Sequence, residues 1–442
     1  MRPFSAALAI SIFLSLALAA QTRKPAAARN AITGYQRQLA QEIFAQVEKT
    51  VLKRYYDPDY HGVNMKARYA VYSRELAAAP TLGRAFRDIA AYLAGLRDTH
   101  TFFIPPAPTW GFFYGFRMRM IGDRAFITAV RPGTDAAKLL RPGDEILGLN
   151  GYGVTRGDYP DLTYDIYQLE PQGGLAFKVL DPGGQVRQVT LRTKFVQHSR
   201  LIEMETGVFR YQMEGEQLTH LDRSRVRREG NVLIWKLPDF IRSESDLDKA
   251  MGQAHGCTGL VLDLRGNPGG EIRLLKYLLG FFVSHKVTVA TPKGRHHQDP
   301  VEANPHGGHF PGKLVVLVDS GSASASELFA RTVQLDHLGT VVGDRSAGAV
   351  MEAQFYAYNA GLNDIVPYGV SVTGEDLIMP DGHSLEHTGV TPDVLLVPTA
   401  ADMAAGRDPV LARAVALAGG SITPAAAGKL FPMIWNPYRL DE

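Results

Sequence analysis

The segment from 313 to 327 reads Lys313-Leu-Val-Val-Leu-Val-Asp-Ser-Gly-Ser-Ala-Ser-Ala-Ser-Glu327. Its apolar first half is typical of a buried strand, and a helix is predicted to begin directly after its small residues. Small side chains let the chain turn sharply there and expose a hydroxyl. The free amides at the start of that helix would face the same point and favour developing negative charge. A serine at this turn is therefore a candidate nucleophile, although serines at helix starts are also common N-caps.

A second segment, Asp263-Leu-Arg-Gly-Asn-Pro-Gly-Gly270, also follows an apolar run and precedes a predicted helix. Glycine tolerates positive φ and close backbone approach, so the amides of this segment could be aimed at a ligand. A simple tight turn is the alternative. A phosphate-binding P-loop is disfavoured, because the Gly-Lys-Ser/Thr ending of that motif is missing.

Residues 200–400 alternate apolar β-type runs with helical patterns, which is typical of an α/β layered fold. The predicted strands are 232–235, 260–264, 313–318 and 340–342, and the predicted helices are 243–254, 272–282 and 325–335. A C-terminal helical tail, 401–442, is predicted to carry one more helix at 408–417.

Two further regions precede this core. Apolar residues at helical spacing predict an N-terminal helical domain at 30–104, and prolines 105, 106 and 108 form a linker after it. Short alternating strands with turn signals then predict a β domain at 112–196. Because 442 residues are too many for one compact core, the sequence predicts a multidomain α/β protein.

The amino terminus is typical of a signal peptide at residues 1–20. Arg2 is followed by an apolar stretch at 6–20, and small residues precede Gln21. An uncleaved amino-terminal anchor is the alternative. We therefore expect an exported protein, periplasmic or extracellular, without stable membrane insertion.

Bulk composition narrows the range of partners. The chain is 45% hydrophobic and 21% charged, as ordinary globular proteins are, and its net charge of +2 gives no reason to expect a nucleic-acid partner. Cys257 is the only cysteine, so no intrachain disulfide forms, and a buried position is predicted for it. Histidines 296, 297, 306 and 309 lack familiar zinc spacing, which favours a solvated loop over a metal site. The sequence leaves the oligomeric state open.

The region 112–196 resembles a PDZ domain. The resemblance rests on Val130-Arg-Pro-Gly133, a helix at 135–140, and Pro142-Gly-Asp-Glu-Ile-Leu147 leading to Asn150-Gly151. Such domains bind a chain terminus by adding it as a strand to a sheet edge. The resemblance implies a substrate-binding carboxylate loop at Tyr114, Gly115 and Phe116. A small sheet that only braces the catalytic domain is the alternative.

The two loop segments and Glu386-His-Thr-Gly-Val-Thr-Pro-Asp393 together resemble the tail-specific (C-terminal processing) serine peptidases, family S41. This resemblance implies a crotonase-like α/β layered catalytic domain at 200–400 with Ser324 as nucleophile. It also implies an oxyanion hole built from the amides of Ala325 and of Gly269 or Gly270. The expected activity is hydrolysis of peptides or unfolded protein C-termini through an acyl-enzyme, without metal or cofactor.

One departure separates the chain from the Ser-Lys branch of that family, because Ala349 occupies the position of the catalytic lysine. A methyl group cannot take a proton. A second branch, which includes the tricorn core peptidase, uses Ser, His and a carboxylate. Leu96-Arg-Asp-Thr-His-Thr101 matches its histidine motif, so the resemblance implies His100 as the base and Glu386 as its orienting carboxylate, with His387 and Asp393 as rivals of Glu386.

Two other functions remain open on the same scaffold. One is a non-catalytic protein that binds a ligand or peptide. The joint presence of Ser324, His100 and Glu386 argues against this function. The other is an esterase, because the same triad hydrolyses esters.

Overall fold

The computed structural model describes residues 31–106, 110–197, 225–361, 365–433 and 435. The expected signal peptide at 1–20 lies outside these residues. None of the helices in the described part of the chain is both long and apolar enough to cross a membrane.

The described part of the chain begins with a layer of three α-helices. They are α1 (Gly34–Arg54), α2 (Met65–Ala78) and α3 (Leu82–Ala94). Each starts after a side chain that caps its first amides, namely Thr33, Asn64 and Thr81. Their apolar faces share one buried cluster with residues near 370, so this layer is packed on a sheet far along the sequence.

Strand β1 (Phe102–Ile104) follows the helices and pairs antiparallel with a strand that contains Val370 and Ser371. The sequence analysis assigned these residues to the end of the helical domain and did not predict a strand. The pairing matters for the site, because it fixes the backbone directly after His100.

The middle domain, residues 110–197, has its own apolar core. Strands β3 to β7 form an antiparallel sheet in sequence order, and β2 pairs with β8 apart from it. A short π-helical turn, Asp165–Leu169, continues the second of two helices. The bounds are β2 (Trp110–Phe113), β3 (Phe116–Ile121), β4 (Arg124–Val130), α4 (Asp135–Leu139), β5 (Glu145–Leu149), α5 (Tyr159–Tyr164), β6 (Gly174–Leu180), β7 (Val186–Arg192) and β8 (Lys194–Gln197).

The main sheet has six strands in the order β18-β15-β14-β11-β10-β9, and all pairs are parallel except the edge pair of β9 and β10. Helices α6 (Glu244–Gly252), α7 (Ile272–Leu279) and α8 (Ala325–Leu335) cover one face. Successive strand residues point to opposite faces, so Leu260 and Leu262 meet those helices while Val261 joins a second core behind the sheet. The strands are β9 (Arg225–Glu229), β10 (Val232–Lys236), β11 (Gly259–Asp263), β14 (Lys313–Val318), β15 (Gly339–Gly343) and β18 (Val394–Leu395).

A second sheet joins this core to the helical layer. It has the order β1-β17-β12-β13, with β16 paired along β17. Its remaining strands are β12 (Val287–Gly294), β13 (Val301–Ala303), β16 (Met351–Ala360) and β17 (Val366–Ile378).

The described part of the tail, up to residue 433, carries three helices where one was predicted from the sequence. They are α9 (Ala400–Ala404), α10 (Pro409–Leu417) and α11 (Pro424–Leu430). Residues of α10, such as Val410 and Leu411, pack with Val261 behind the main sheet. The short flanking helices lack a long periodic pattern, and for that reason the sequence did not reveal them.

Candidate active site

The serine loop, residues 319–324, connects the end of β14 to the start of α8 at the carboxyl edge of the main sheet. Ser324 sits immediately before the helix with φ 54° and ψ −119°. A non-glycine residue at positive φ is strained, and such strain persists only where the surroundings impose it. The residue is half-buried, so the turn presents its side chain at the edge of the sheet.

The glycine loop, residues 264–271, leaves the adjacent strand β11 and is hydrogen-bonded to the serine loop. Ser322 Oγ donates to the carbonyl of Leu264 at 2.8 Å. The carbonyl of Asn267 accepts from the amide of Ala323 and from Ser326 Oγ, both at 3.0 Å. The two loops therefore form one unit around Ser324.

Two backbone amides beside Ser324 are available for a ligand. Gly269 has φ +100°, and a Cβ placed on it would lie 2.7 Å from the Cβ of Ser324, so only glycine fits there. Its own amide donates to Asn267 Oδ1 at 2.8 Å. The amides of Gly270 and Ala325 make no hydrogen bond within the described residues. Of the two alternatives left open by the sequence, Gly270 is thus the better oxyanion donor.

Glu327, in the first turn of α8, is fully buried behind Ser324. Its carboxylate accepts hydrogen bonds from Ser346 Oγ (2.6 Å) and from the amides of Gly348 (2.8 Å), Ala349 (2.9 Å) and Ser324 (3.1 Å). Burial raises the pKa of Glu327 to about 7, although the four donors oppose this shift. The carboxylate thereby holds the loop around Ala349 against the serine loop.

The structure places Ala349 beside the serine, where the sequence analysis located the missing lysine. The carbonyl of Ala349 accepts the amide hydrogen of Ser324 at 2.8 Å. Its methyl side chain supplies no base. A proton acceptor for Ser324 has to come from elsewhere.

His100 is held by the turn that precedes β1. Asp98 Oδ1 accepts from the amides of His100 (2.8 Å) and Thr101 (3.0 Å), and Thr373 Oγ1 of β17 donates to the same oxygen at 2.7 Å. Burial lowers the pKa of His100, and the charge of Asp98 opposes this shift only in part. The imidazole is accordingly neutral at neutral pH and able to accept a proton.

Thr99 fixes the tautomer of His100. The Thr99 hydroxyl donates its single hydrogen to Glu386 Oε2 at 3.0 Å and lies 2.9 Å from His100 Nδ1. Since that hydrogen is already used, Nδ1 must carry the ring hydrogen and donate it to Thr99 Oγ1. The lone pair of the ring is then on Nε2, as a general base requires.

Glu386 contacts His100 through Thr99 and not directly. Besides the hydroxyl, its carboxylate accepts from the amides of Thr99 and Val350, each at 2.9 Å. Burial raises the pKa of Glu386, and these hydrogen bonds oppose the shift. The sequence analysis did not assign a role to Thr99, although the residue lies inside the motif that singled out His100.

The two rivals of Glu386 have other contacts. Asp393 accepts from the amide of Val341 at 2.7 Å and from Gln334 Nε2 at 2.9 Å, which ties β15 to α8. His387 Nε2 lies 2.7 Å from the carbonyl of Arg97 and 3.7 Å from Glu386 Oε1. Asp393 therefore has a structural role in the sheet, and His387 flanks the carboxylate of Glu386.

Three segments that are distant along the chain, which contain Ser324, Glu386 and Thr99, are connected at the site. The amide of Ser324 donates to Ala349, and the next amide along, that of Val350, donates to Glu386. Glu386 in turn binds Thr99, which adjoins the imidazole. The serine, the imidazole-bearing turn and the carboxylate are thus linked by hydrogen bonds that run through the peptide group between Ala349 and Val350.

Comparison with known proteins covers the part of this arrangement that contains Ser324, the glycine loop and Glu386, but not Thr99 and His100. Residues 231–396 match the model of peptidase family S41. We refer to this matched segment as the S41 domain. The tail-specific protease of Haemophilus influenzae is 26% identical over 317 residues, which is 67% of this chain and 43% of that protein. The chain spans less than half the length of the first curated relatives it matches.

Solved structures share the fold of the S41 domain and its flanking regions. Mature CPAF superposes with a TM-score of 0.62 at 14% identity, covering 84% of this chain and 94% of that chain. The photosystem II D1 C-terminal processing protease gives a TM-score of 0.52 at 22% identity, covering 89% of this chain and 100% of that chain. The α/β fold expected from the sequence is thereby confirmed for the S41 domain.

The sequence-predicted substrate residues lie in the middle domain, directly before β3 and at its first residue. The side chains of Tyr114 and Phe116 are buried in the middle-domain core, and the Tyr114 hydroxyl donates to the carbonyl of Ile166 at 2.8 Å. Gly115 has φ +78° and packs on Thr134. Only the backbone of this loop is available to a ligand.

Two side-chain expectations outside the site have different outcomes. Cys257 is buried in the S41 core, as predicted. Histidines 296, 297 and 309 are exposed, but His306 stacks on Tyr277 with ring centroids 4.0 Å apart and also meets Phe281. The prediction of a solvated loop is therefore wrong for His306, which packs on the aromatic residues of α7 and the turn after it.

Proposed function

We propose that this protein is an exported serine peptidase that hydrolyses peptide bonds through an acyl-enzyme at Ser324. The observation that carries the proposal is the strained Ser324, next to two amides that have no partner among the described residues. The loop at Ala349 and Val350 links this serine to Glu386 and Thr99. Relatives of the S41 domain are named tail-specific and carboxy-terminal processing proteases, which supports peptides or unfolded protein C-termini as substrates.

The first half of the reaction forms the acyl-enzyme. Nε2 of His100 takes the proton of Ser324 as its oxygen attacks the peptide carbonyl, and the amides of Gly270 and Ala325 bind the resulting oxyanion. The imidazolium then gives its proton to the departing amine as the C–N bond breaks. In the second half, His100 takes a proton from water, hydroxide attacks the ester carbonyl, and the proton returns to Ser324.

Glu386 and Thr99 stabilise the imidazolium during both halves. The Nδ1 hydrogen points to Thr99 Oγ1, whose own hydrogen points to the carboxylate of Glu386. The carboxylate therefore stabilises the positive ring through one hydroxyl. A relay of this kind needs the hydroxyl and not only the backbone of residue 99.

Replacing Thr99 with valine tests this role. Thr99→Val keeps the shape and the amide that binds Glu386, but removes the hydroxyl between the carboxylate and the ring. We expect kcat to fall by about 10- to 100-fold, because a hydrogen bond to a charged group contributes about 1.5–3 kcal/mol. Thr99→Ser retains the hydroxyl and should retain most of the activity. Equal steady-state kinetics for the two variants would remove Thr99 from the mechanism.

The proposed activity is tested by comparing matched substrates. A fluorogenic peptide and the corresponding ester should both be hydrolysed, and a fluorophosphonate should inactivate the protein in step with the loss of peptide turnover. An esterase would cleave only the ester. A non-catalytic binding protein would hydrolyse neither substrate and would not react with the fluorophosphonate.

We further propose that the middle domain is PDZ-like over residues 112–196 and selects substrates by a free carboxy terminus. Strand β3 is an edge strand of its sheet, as peptide addition requires. Two of its carbonyls, those of Met118 and Met120, already accept hydrogen bonds from Tyr159 (2.7 Å) and Ser320 (2.6 Å). A bound peptide would have to displace these hydroxyls, or would rely on the loop at Gly115.

Comparing the hydrolysis of a peptide with that of its C-terminally amidated form distinguishes substrate selection by the middle domain from a purely bracing role. The amide lacks the charge that backbone amides of the loop would hold, so KM should rise by about tenfold or more for the amidated peptide. The kcat values should be similar, because the reacting bond is the same. Identical KM values for the two peptides would leave the middle domain as a brace.

Export is proposed on the sequence of residues 1–20, which has the charge, apolar stretch and small residues of a signal peptide. Cleavage before Gln21 would release the mature protein into the periplasm or the medium. An amino-terminal sequence of the purified protein that retains Met1 would contradict this proposal.

A further inference from the structure

Asp319, the first residue after β14, contacts three separate segments of the chain. Its Oδ1 accepts from the amide of Gly266 in the glycine loop at 2.8 Å and from the amide of Gly321 in the serine loop at 2.9 Å. Its Oδ2 accepts from the guanidinium of Arg119 in β3 of the middle domain. One carboxylate thus joins both loops around Ser324 to another domain.

Both partners of this ion pair are ionised. Burial alone would raise the pKa of Asp319, but the charge of Arg119 and the amides of Gly266 and Gly321 outweigh it and hold the pKa below its ordinary value. The charge of Asp319 raises the pKa of Arg119 in turn. The Arg119 and Asp319 side chains are 34% and 15% exposed, so solvent screens the pair only in part.

A second hydrogen bond, between the next residue of the serine loop and the next residue of β3, strengthens the contact between the two domains. Ser320 Oγ donates to the carbonyl of Met120 at 2.6 Å, so two consecutive residues of the serine loop meet two consecutive residues of β3. A contact made at two successive positions fixes the direction of the loop as well as its distance from the strand. The serine loop is therefore held from the middle-domain side, five residues before Ser324.

We propose that Asp319 is a positioning residue, which together with Arg119 holds the serine loop and the glycine loop in their reactive alignment. This inference rests on the proposed function, because it explains how Ser324 is kept aligned with the amide of Gly270 for the proposed reaction. The middle domain acts in catalysis through this pair, whether or not it also binds a chain terminus.

Loss of the pair should misalign the loops without unfolding them. The bonds from Ser322 to Leu264 and from Ala323 to Asn267 remain when the charge of Asp319 is removed. They keep the loops together, while the freedom gained at Asp319 allows small displacements of Ser324. A displacement of about 1 Å is enough to lower a rate by about 10²-fold.

The test uses the full-length protein with changes on both sides of the pair. Asp319→Asn keeps an oxygen for the two amides but removes the charge, and Arg119→Met removes the guanidinium while keeping an unbranched apolar stem. We expect either change to lower kcat by about 10- to 100-fold while KM stays within about threefold. The double variant should be no slower than the slower single variant, because both changes remove one interaction. Arg119→Lys, which keeps the charge, should recover most of kcat.

A matched control is Arg124→Met. Arg124 lies on the neighbouring strand β4 and pairs with Glu145 on the protein surface at 3.1 Å, with 65% of its side chain exposed. This variant loses one arginine from the same domain and should keep wild-type kcat. It separates the effect of the Asp319 contact from a general change of charge.

The outcomes are distinct. Full kcat in folded Arg119→Met, additive losses in the double variant, or no recovery with lysine would each overturn the positioning role. If Asp319→Asn does not fold, the two single Arg119 variants still decide the question. Failure of the wild-type protein to hydrolyse peptide or react with a fluorophosphonate would instead refute the proposed function itself.

Discussion

Replacing Ser324 with alanine should reduce kcat for peptide hydrolysis by a factor on the order of 10⁴–10⁶, because no atom remains to form the acyl-enzyme. The fold should persist, since alanine fits wherever serine does and Ser324 belongs to none of the apolar clusters. Mass mapping of the fluorophosphonate adduct on the wild-type protein should place it on Ser324. Circular dichroism of the alanine variant checks that its fold is unchanged.

The neighbouring serines provide controls for this experiment. Ser322 and Ser326 are fully buried, and their hydroxyls donate to Leu264 and Asn267 of the glycine loop. Alanine at either position should lower stability more than it lowers labelling of Ser324. An adduct found on Ser322 or Ser326 would contradict the assignment of the nucleophile.

Replacing His100 with alanine should have the second large effect, a loss of about 10⁴-fold or more in kcat. Without the imidazole, Ser324 has no base, because Ala349 carries no amine. His387→Ala is the matched control. His387 lies 3.7 Å from Glu386 Oε1 and contacts a backbone carbonyl, so its loss should cost far less activity. Near-wild-type turnover of His100→Ala would show that another group takes the proton.

The pH profile gives an independent test of the same assignment. The base must be neutral to accept a proton, so kcat/KM should rise with pH through the pKa of His100 and then level off. Because burial lowers this pKa, the midpoint of the acid limb should lie below about 6.5, the ordinary value for histidine. An acid limb centred well above that value would contradict a desolvated, neutral imidazole.

The main sheet and the serine loop were predictable from the sequence. The expected strand 313–318 and helix 325–335 have the bounds of β14 and α8, and the strand expected at 232–235 lies within β10. Parallel strands that are buried on both faces read as continuous apolar runs, and helices between them keep a regular apolar spacing. The apolar pattern of the sequence alone therefore predicts that residues following such strands lie at the edge of the sheet.

The second sheet could not be predicted in the same way. Strand β17 carries Ser371, Thr373 and Glu375, which are buried and interrupt the apolar pattern. Thr373 meets its partners, Asp98 and Thr101, only after the chain has folded back over more than half its length. The role of Thr99 was hidden for a related reason, since a hydroxyl next to a motif histidine acquires meaning only once Glu386 is known to face it.

The contact between Thr99 and Glu386 spans 287 positions of the chain. Interactions of such high contact order form late, because closing long loops costs conformational entropy before the contact is gained. During synthesis the ribosome delivers the imidazole first, the serine next and the carboxylate last. A nascent chain can therefore fold its helical layer and middle domain while it still lacks a complete catalytic centre. The order of the segments along the chain thereby delays a complete site for the proposed reaction until Glu386 has been translated.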